Sequence, residues 1–518
     1  MNEGLRHVLM IASENDALKG GKVGVVGDVV RDLPVALASL GWNTTVVIPS
    51  YGFLHKDNPS RLLMTVRFPF YGNTQTGDFY EVTPRRTVNG VRHLVVEHPE
   101  LRGEPLYCND PPGQTFARDA TKYALFCSAI GRYLQDVSPG TVIHLHDWHS
   151  ATLLLLQKLH PEFKHLSSFK TVFTIHNLAI QGSRPMKGRQ ATVQQWFPEL
   201  FHDASWVTDW KDPRFKELTY TPMAVGIRFA DKLNTVSPSY ATEILQPSNH
   251  TIGFYGGEGL EPLLQQAHAG HRLFGILNGA EYPAVEARSR MSWQQICDLM
   301  EDELRPVLSK DKFHTVVYQR IGSLRDLNPS LLLTSVTRVV EQKIRLLFEK
   351  SSRGKDAIDE ICSFLETYNG LYLFIGAGTT DYEKKLKETV ERCRRFVFIN
   401  LYSDRISDSL YKNGTIYMMP SSFEPCGIGQ MISMREGQPC VVHAVGGLKD
   451  TVVDGVNGFQ FSGSTLQEQV DNFIAATGKA MRTAAEDSAA WQKICQAASE
   501  ARFTWEKSAH QYSTLLYS

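Results

Sequence analysis

A carboxylate, a proline and a run of glycines at the end of one apolar stretch form the chemically most suggestive part of this chain. Thr415 to Pro420 is apolar and predicts a strand whose far end delivers Glu424. Pro425 fixes the backbone there, and Gly427 and Gly429 open a helix expected to run to about Glu436. The start of that helix leaves amide groups unpaired and its dipole positive, one or two residues from the carboxylate. Gly437 ends the helix, and a second strand, Pro439 to Val445, delivers Gly446 and Gly447. A short helix follows from about Leu448, then a turn, DGVNG. Glycine loops at strand ends are where open parallel sheets bind ligands. The place suits a phosphate, with amides aimed at oxygen and a carboxylate beside the group that the phosphate carries.

The elements that must position these groups alternate along the chain. In the first half HVLMIA, NTTVVIPS, TVIHLHD, TVFTIHN and DKLNTVS read as short strands separated by helical patterns, which predicts a parallel sheet covered on both faces. The first crossover, KGGKVGVVGDVVRDLPVALASLG, holds a glycine loop and then a helix over Val29 to Leu40. The region from Asp57 to Leu134 reads as hairpins and helices, with FARDATKYALFCSAIGRYL amphipathic. Asp147, Trp148 and His149 stand at one strand's carboxyl end, His176 and Asn177 at another's, and Asn234 at a third's. Polar groups offered from three neighbouring strand ends are the layout of a binding cleft. His144, His146 and His149 with Asp147 have a spacing that could hold a metal, His144 and His146 facing the same way on a strand. No second ligand cluster accompanies them, so no metal is expected. From Pro329 a second strand–helix series begins with SLLLTSVTRVV, LYLFIGAG, FVFINLY, TIYMMPS and PCVVHAV.

Composition narrows the class. At 518 residues the chain exceeds one core. It is 42% hydrophobic and 21% charged, as expected of a soluble globular protein. The net charge of -1 gives no support to a nucleic-acid or membrane partner. Eight cysteines without a CxxC pair suggest neither a disulfide framework nor a zinc site, with Cys127, Cys362 and Cys440 reading as core packing. No signal peptide or membrane span is evident, so a cytoplasmic location is expected. Oligomeric state is not legible.

PSSFEPCG followed by VGGLKDTV resembles the donor-binding signature of the glycogen and starch synthases. KVGVVGDV, HDWH, HNLAIQG, NTVSP, FGILNGAEYP, TRVVEQK, IGAGTTDY and FTWEKSAHQY match that family in order, over about residues 7 to 517. The resemblance implies a retaining glycosyltransferase of α/β class with GT-B architecture, two doubly wound Rossmann-like domains facing a central cleft. The expected division is an acceptor-side domain over 1–280, a donor-side domain over 281–495 and a terminal helix over 496–518 packing back on the first. The implied donor is a nucleotide-glucose, ADP-glucose favoured over UDP-glucose, and the acceptor the non-reducing end of an α-1,4-glucan. The alternatives are a different acceptor, small molecule or protein, or a weakly active glycan-binding or regulatory homologue. No cofactor is implied.

The same resemblance assigns site residues. Glu424, Arg338, Lys343 and His176 are the expected catalytic set. Arg338 and Lys343 would neutralise the departing pyrophosphate, while His176 and Asn234 would touch the transferred glucose. Lys22, Gly24 and Asp28 would lie on the donor phosphates, Asp147 at the acceptor side, and Cys426 and Gly427 in the loop beside Glu424. Tyr402 would stack on the base. The chain departs from the family pattern at Val25 and Ile344, where glycine is usual, at Ser422, usually arginine, and at Gly429, often threonine. The loop Asn15 to Gly21 is about two residues longer, and Ala284 to Leu327 is diverged.

Overall fold

The structure is a computed structural model that describes residues 6–103, 106–108, 110, 114–188, 190–283 and 290–518. Residues 284–289, the start of the diverged segment, lie outside the described residues. Among the described residues, eleven strands precede residue 280. They are β1 (His7–Ile11), β2 (Asn43–Pro49), β3 (Ser60–Phe70), β4 (Asn73–Val82), β5 (Val91–Glu97), β6 (Val142–His146), β7 (Lys170–Ile175), the short pair β8 (Arg184–Pro185) and β9 (Thr219–Tyr220), β10 (Lys232–Thr235) and β11 (Leu273–Gly275). Nine of them form one sheet in the order β11-β10-β7-β6-β1-β2-β5-β4-β3. It is parallel except at one edge, where β3 and β4 add antiparallel strands. The central strands are apolar runs buried on both faces because helices cover each side. The helix expected from Val29 begins earlier, at Val25, and ends at Ser39.

The second sheet is wholly parallel. Its strands are β12 (Leu331–Val336), β13 (Gly370–Ile375), β14 (Phe396–Ile399), β15 (Ile416–Met419), β16 (Cys440–His443) and β17 (Gly458–Phe461), in the order β14-β13-β12-β15-β16-β17. The strand–helix–strand–helix unit around Glu424 is present as β15, a helix over Gly429–Arg435, β16 and a helix over Gly446–Thr451. Helices Trp293–Leu304 and Lys312–Leu324 share a core with this sheet's Leu332, Leu371 and Val397. The chain then returns: Trp505–Gln511 packs on the Val25–Ser39 helix, within the core of the first sheet. Ala280 and Thr504 pair as an isolated bridge where the two crossings lie side by side.

Each sheet has a point where strand order reverses. In the first, β1 lies between β2 and β6; in the second, β12 lies between β13 and β15. The loops leaving β1, β6, β12 and β15 carry Glu14, Asp147, Arg338 and Glu424 respectively. Ligands of open parallel sheets sit at such points, so topology alone brings these four loops to candidate sites. The halves also touch directly. Ser239 donates from its amide and hydroxyl to the Asp450 carboxylate, at 2.9 and 2.7 Å.

One expectation is corrected here. Cys362 is not a lone core residue: it forms a disulfide with Cys393, the two Cα atoms 6.4 Å apart. The helices Ala357–Thr367 and Thr380–Arg392 converge behind β13, and that approach of residues 31 apart is invisible as a sequence spacing. Cys127 and Cys440 are buried free thiols. No helix among the described residues is long and apolar enough to cross a membrane.

Candidate active site

The two reversal points open onto one cavity of about 630 Å³. The first sheet contributes Glu14, Gly24, Val25, Tyr107, Asp147 and His176 to its wall. The second contributes Arg338, Lys343, Glu424, Cys426 and Gly427, and the crossing between them contributes Asn278.

On the second-sheet side, the Lys343 ammonium and the Glu424 carboxylate form a largely buried ion pair. Ser421 lies at 3.4 Å from the same carboxylate, its hydroxyl donating. Arg338 is exposed at the cavity wall and its guanidinium makes no hydrogen bond or ion pair among the described residues. The glycine pair at 446–447 explains how Glu424 is held. A Cβ on Gly446 would lie 2.0 Å from the Glu424 carbonyl oxygen, and one on Gly447 would lie 2.2 Å from that of Cys426. Gly446 also takes a φ of +44°, which side-chain-bearing residues rarely adopt. From the opposite half, the Ser237 hydroxyl donates to the Pro425 carbonyl at 2.5 Å. The Glu424 loop is thus fixed from both sides of the cleft.

On the first-sheet side, Asp147 sits at φ +54°, ψ -178°, a conformation that costs a non-glycine residue a few kcal/mol, about 1–3. Its Oδ1 accepts from the amides of His176 at 2.7 Å and Asn177 at 3.4 Å, which tie the β6 and β7 ends together. Burial pushes the Asp147 carboxyl up to about 7, those amides opposing the shift. The His176 ring shares a hydrogen bond with His146, Nε2 to Nδ1 at 2.9 Å, and burial holds it down to about 3, hence neutral at pH 7.

Glu14 was not legible as a site residue. Its buried carboxylate accepts from the amide of Val23 at 2.6 Å, from that of Gly24 and from the Tyr107 hydroxyl. It thereby shapes the glycine loop: a Cβ on Gly24 would stand 3.1 Å from Glu14 Oε1. Two residues past the first strand, an acidic side chain carries no signal in sequence that it caps a later loop. Asn278 was missed too. It is 1% exposed, and neither of its amide atoms has a partner among the described residues, although it lines the cavity.

The chain that builds this cavity is similar in sequence and fold to known proteins. The family profile described as the starch synthase catalytic domain matches residues 7–266, and that of glycosyl transferases group 1 matches residues 355–481. A glycogen synthase of Gloeobacter violaceus is 30% identical, with 98% of each chain covered. The chain belongs to the glycogen and starch synthase family. A glycogen synthase of Desulfitobacterium hafniense is 29% identical over 95% of each chain. The catalytic domain of starch synthase IV from Arabidopsis thaliana, a structure with ADP and acarbose bound, has a TM-score of 0.72 at 23% identity, covering 99% of both chains. Sucrose-phosphate synthase from Thermosynechococcus elongatus has a TM-score of 0.54 at 16% identity, covering 98% of both. The fold is GT-B and the protein is a glycosyltransferase.

As a member of the glycogen and starch synthases, the chain brings eight of its expected site residues to the cavity: Gly24, Asp147, His176, Arg338, Lys343, Glu424, Cys426 and Gly427. Four lie elsewhere. Lys22 is at the rim, 2.6 Å from Asp28, and Asp16 lies 3.7 Å away, so the pair is bound to itself rather than open to the cavity. Tyr402 is 81% exposed, its hydroxyl donating to Asp404 at 2.7 Å. Asp16 and Asp28 lie close enough to bear on that hydroxyl, which is pushed up to about 12 chiefly by the Asp404 hydrogen bond. Asn234 is corrected: it is fully buried behind the cavity and donates to the Tyr512 hydroxyl at 2.8 Å, so it does not reach a sugar there.

The departures from the family pattern also have physical explanations. Ile344 is fully buried in the core of the second sheet and leaves the cavity untouched. Gly429 stands where a Cβ would meet the Tyr417 hydroxyl at 2.7 Å. Ser422 packs against Gly253, whose φ of +74° carries the first half's chain across it. Val25 alone intrudes, 45% exposed at the cavity wall as the first residue of its helix. The possible metal cluster is spent otherwise. Both His144 ring nitrogens are engaged, by Tyr517 at 2.8 Å and Thr174 at 2.7 Å.

Proposed function

We propose that the protein transfers glucose from a nucleotide-glucose, ADP-glucose foremost, to the non-reducing end of an α-1,4-glucan with retention of configuration. The observation that carries this reading is the meeting of Lys343, Glu424 and Arg338 with His176 and Asp147 across one cavity. Relatives that match almost end to end are named glycogen synthases, and a structure of the same fold with ADP bound is a starch synthase, which supports the donor and acceptor assignments.

In the proposed step the donor's C1–O bond breaks and its electron pair leaves with the diphosphate. Negative charge then grows beside Arg338, Lys343 and the unpaired amides of the Val25–Ser39 helix, which stabilise it most in the transition state. Positive charge grows at C1, where Glu424 supplies a fixed negative field. The acceptor 4-hydroxyl forms the new C1–O bond on the face that the diphosphate vacates and passes its proton to a diphosphate oxygen. No covalent enzyme intermediate and no metal enter this scheme. Enclosure between the halves keeps water from taking the acceptor's place.

Location in the cytoplasm is part of this reading. Six of the eight cysteines are free thiols, as in a reducing compartment, the Cys362–Cys393 pair standing apart. The weakly active alternative loses one of its supports, because Ile344 lies in the core. The test is diphosphate release from ADP-glucose and UDP-glucose, with and without glycogen. Glucan-dependent release of ADP is expected. Release equal with and without glucan, or none from either donor, would defeat the reading.

A further inference from the structure

Behind His176, on the face of the first sheet away from the cavity, four polar side chains stand on three adjacent strands. His144 and His146 project from β6, Thr174 from β7 and Asn234 from β10, with His146, Thr174 and Asn234 in lateral register. All are fully buried, and what covers them is the turn Tyr512–Tyr517. That turn is a π-helix. In an α-helix, residues five apart point about 140° away from one another, whereas i→i+5 winding brings them to nearly the same side. Here it delivers two hydroxyls to one face: Tyr512 accepts from Asn234 Nδ2 at 2.8 Å, and Tyr517 meets His144 Nδ1 at 2.8 Å.

Asn234 Nδ2 also donates to Thr174 Oγ1 at 3.4 Å, and Thr174 Oγ1 shares a hydrogen bond with His144 Nε2 at 2.7 Å. With both nitrogens engaged the His144 ring is fixed, and the His146 ring lies against it, centroids 4.1 Å apart. His146 Nδ1 in turn faces His176 Nε2. Neither His146 Nε2 nor His176 Nδ1 has a partner among the described residues. Of two neutral rings, one places its proton in this contact and the other keeps its proton on an outer nitrogen, so the two proton positions are coupled.

We propose that Tyr517 and Tyr512 are positioning residues for the transfer: through His144 and His146 they set the orientation of the His176 ring. The kinetic part rests on the transferase reading above. Tyr517→Phe retains the ring and removes only the hydroxyl. It is expected to lower kcat five- to tenfold, with the Michaelis constants for ADP-glucose and glucan within twofold of the parent and Tm little changed. Tyr372→Phe is the control, a buried tyrosine whose hydroxyl meets Ser335 at 2.8 Å in the second sheet. It should leave kcat unchanged whatever it does to Tm. Equal kcat in Tyr517→Phe and the parent, or an equal fall in Tyr372→Phe, would overturn the proposal. If the parent shows no transfer, the transferase reading fails rather than this one, and histidine ring ¹⁵N spectra decide. Altered His146 and His176 ring signals in Tyr517→Phe support the linkage, and unaltered signals overturn it.

Discussion

The Lys343 ammonium is bonded to the Glu424 carboxylate inside the cleft, although 81 residues separate them and they leave different strands. The cation proposed for the leaving group is therefore held by the carboxylate proposed for the sugar. Removing one partner of a buried pair strands a charge, at a cost of about 3–5 kcal/mol, whereas removing both costs less. Lys343→Met and Glu424→Gln should each lower stability by about 3–5 kcal/mol, and the double variant by less than the sum of the two single losses. Denaturant unfolding of all four proteins measures it. Additive losses would show that the pair contributes no coupling.

The Arg338 guanidinium has no partner among the described residues, so Arg338→Ala should leave the unfolding midpoint unchanged. Its proposed contact forms only as the diphosphate departs, and loss of one such contact costs about 2–4 kcal/mol of barrier. Turnover is expected to fall by about thirty- to a thousandfold, with glucan binding by calorimetry intact. Turnover within threefold of the parent would remove Arg338 from the mechanism.

Tyr402→Ala should raise the Michaelis constant for the nucleotide donor without disturbing the fold, because the side chain stands 81% exposed. Unchanged donor kinetics would show that this ring does not stack on the base.

Val25 tests whether the family's missing glycine matters. Its side chain reaches the cavity, but Gly24 beside it is fixed by Glu14 rather than by a ligand. Val25→Gly is expected to change donor affinity by less than about tenfold, or roughly 1.4 kcal/mol. A hundredfold gain by calorimetry would mean that the native site is impaired.

Much of this site was legible because it lies at strand ends, where apolar runs stop and polar or glycine residues begin. Glu424, Asp147 and His176 stand out that way, whereas Arg338 is legible only through the family resemblance. What stayed hidden depends on segments that return from far along the chain. Asn234 reads like a cleft residue until the Tyr512 hydroxyl, 278 residues later, takes its amide. Ile344 reads as a departure from the family glycine in a donor-binding motif until the second sheet's core closes over it. Glu14 caps a loop it precedes, and Cys362 finds Cys393 only when two helices converge. Strand periodicity reports none of these pairings.

Asp147 predicts an unusual pH dependence of stability. Its folded value of about 7 lies above the ordinary 3.8, so between those limits the folded protein holds a proton that the unfolded chain has released. Stability from this group is full below pH 4 and is lost as pH rises through 7, by on the order of 2–4 kcal/mol. Asp147→Asn keeps an acceptor for the His176 amide and should remove that loss. The parent should weaken relative to the variant between pH 5 and 8, read by denaturant midpoints. A constant difference would show that Asp147 is ionised throughout.

The central claim is retaining transfer to a glucan end, and the linkage formed tests it most directly. Incubating the protein with ADP-glucose labelled with ¹³C at C1 and a malto-oligosaccharide, then recording the NMR spectrum of the lengthened product, reads the new bond. The account predicts a single α-1,4-linked residue added at the non-reducing end. A β-linked residue, or label appearing only as free glucose, would contradict it.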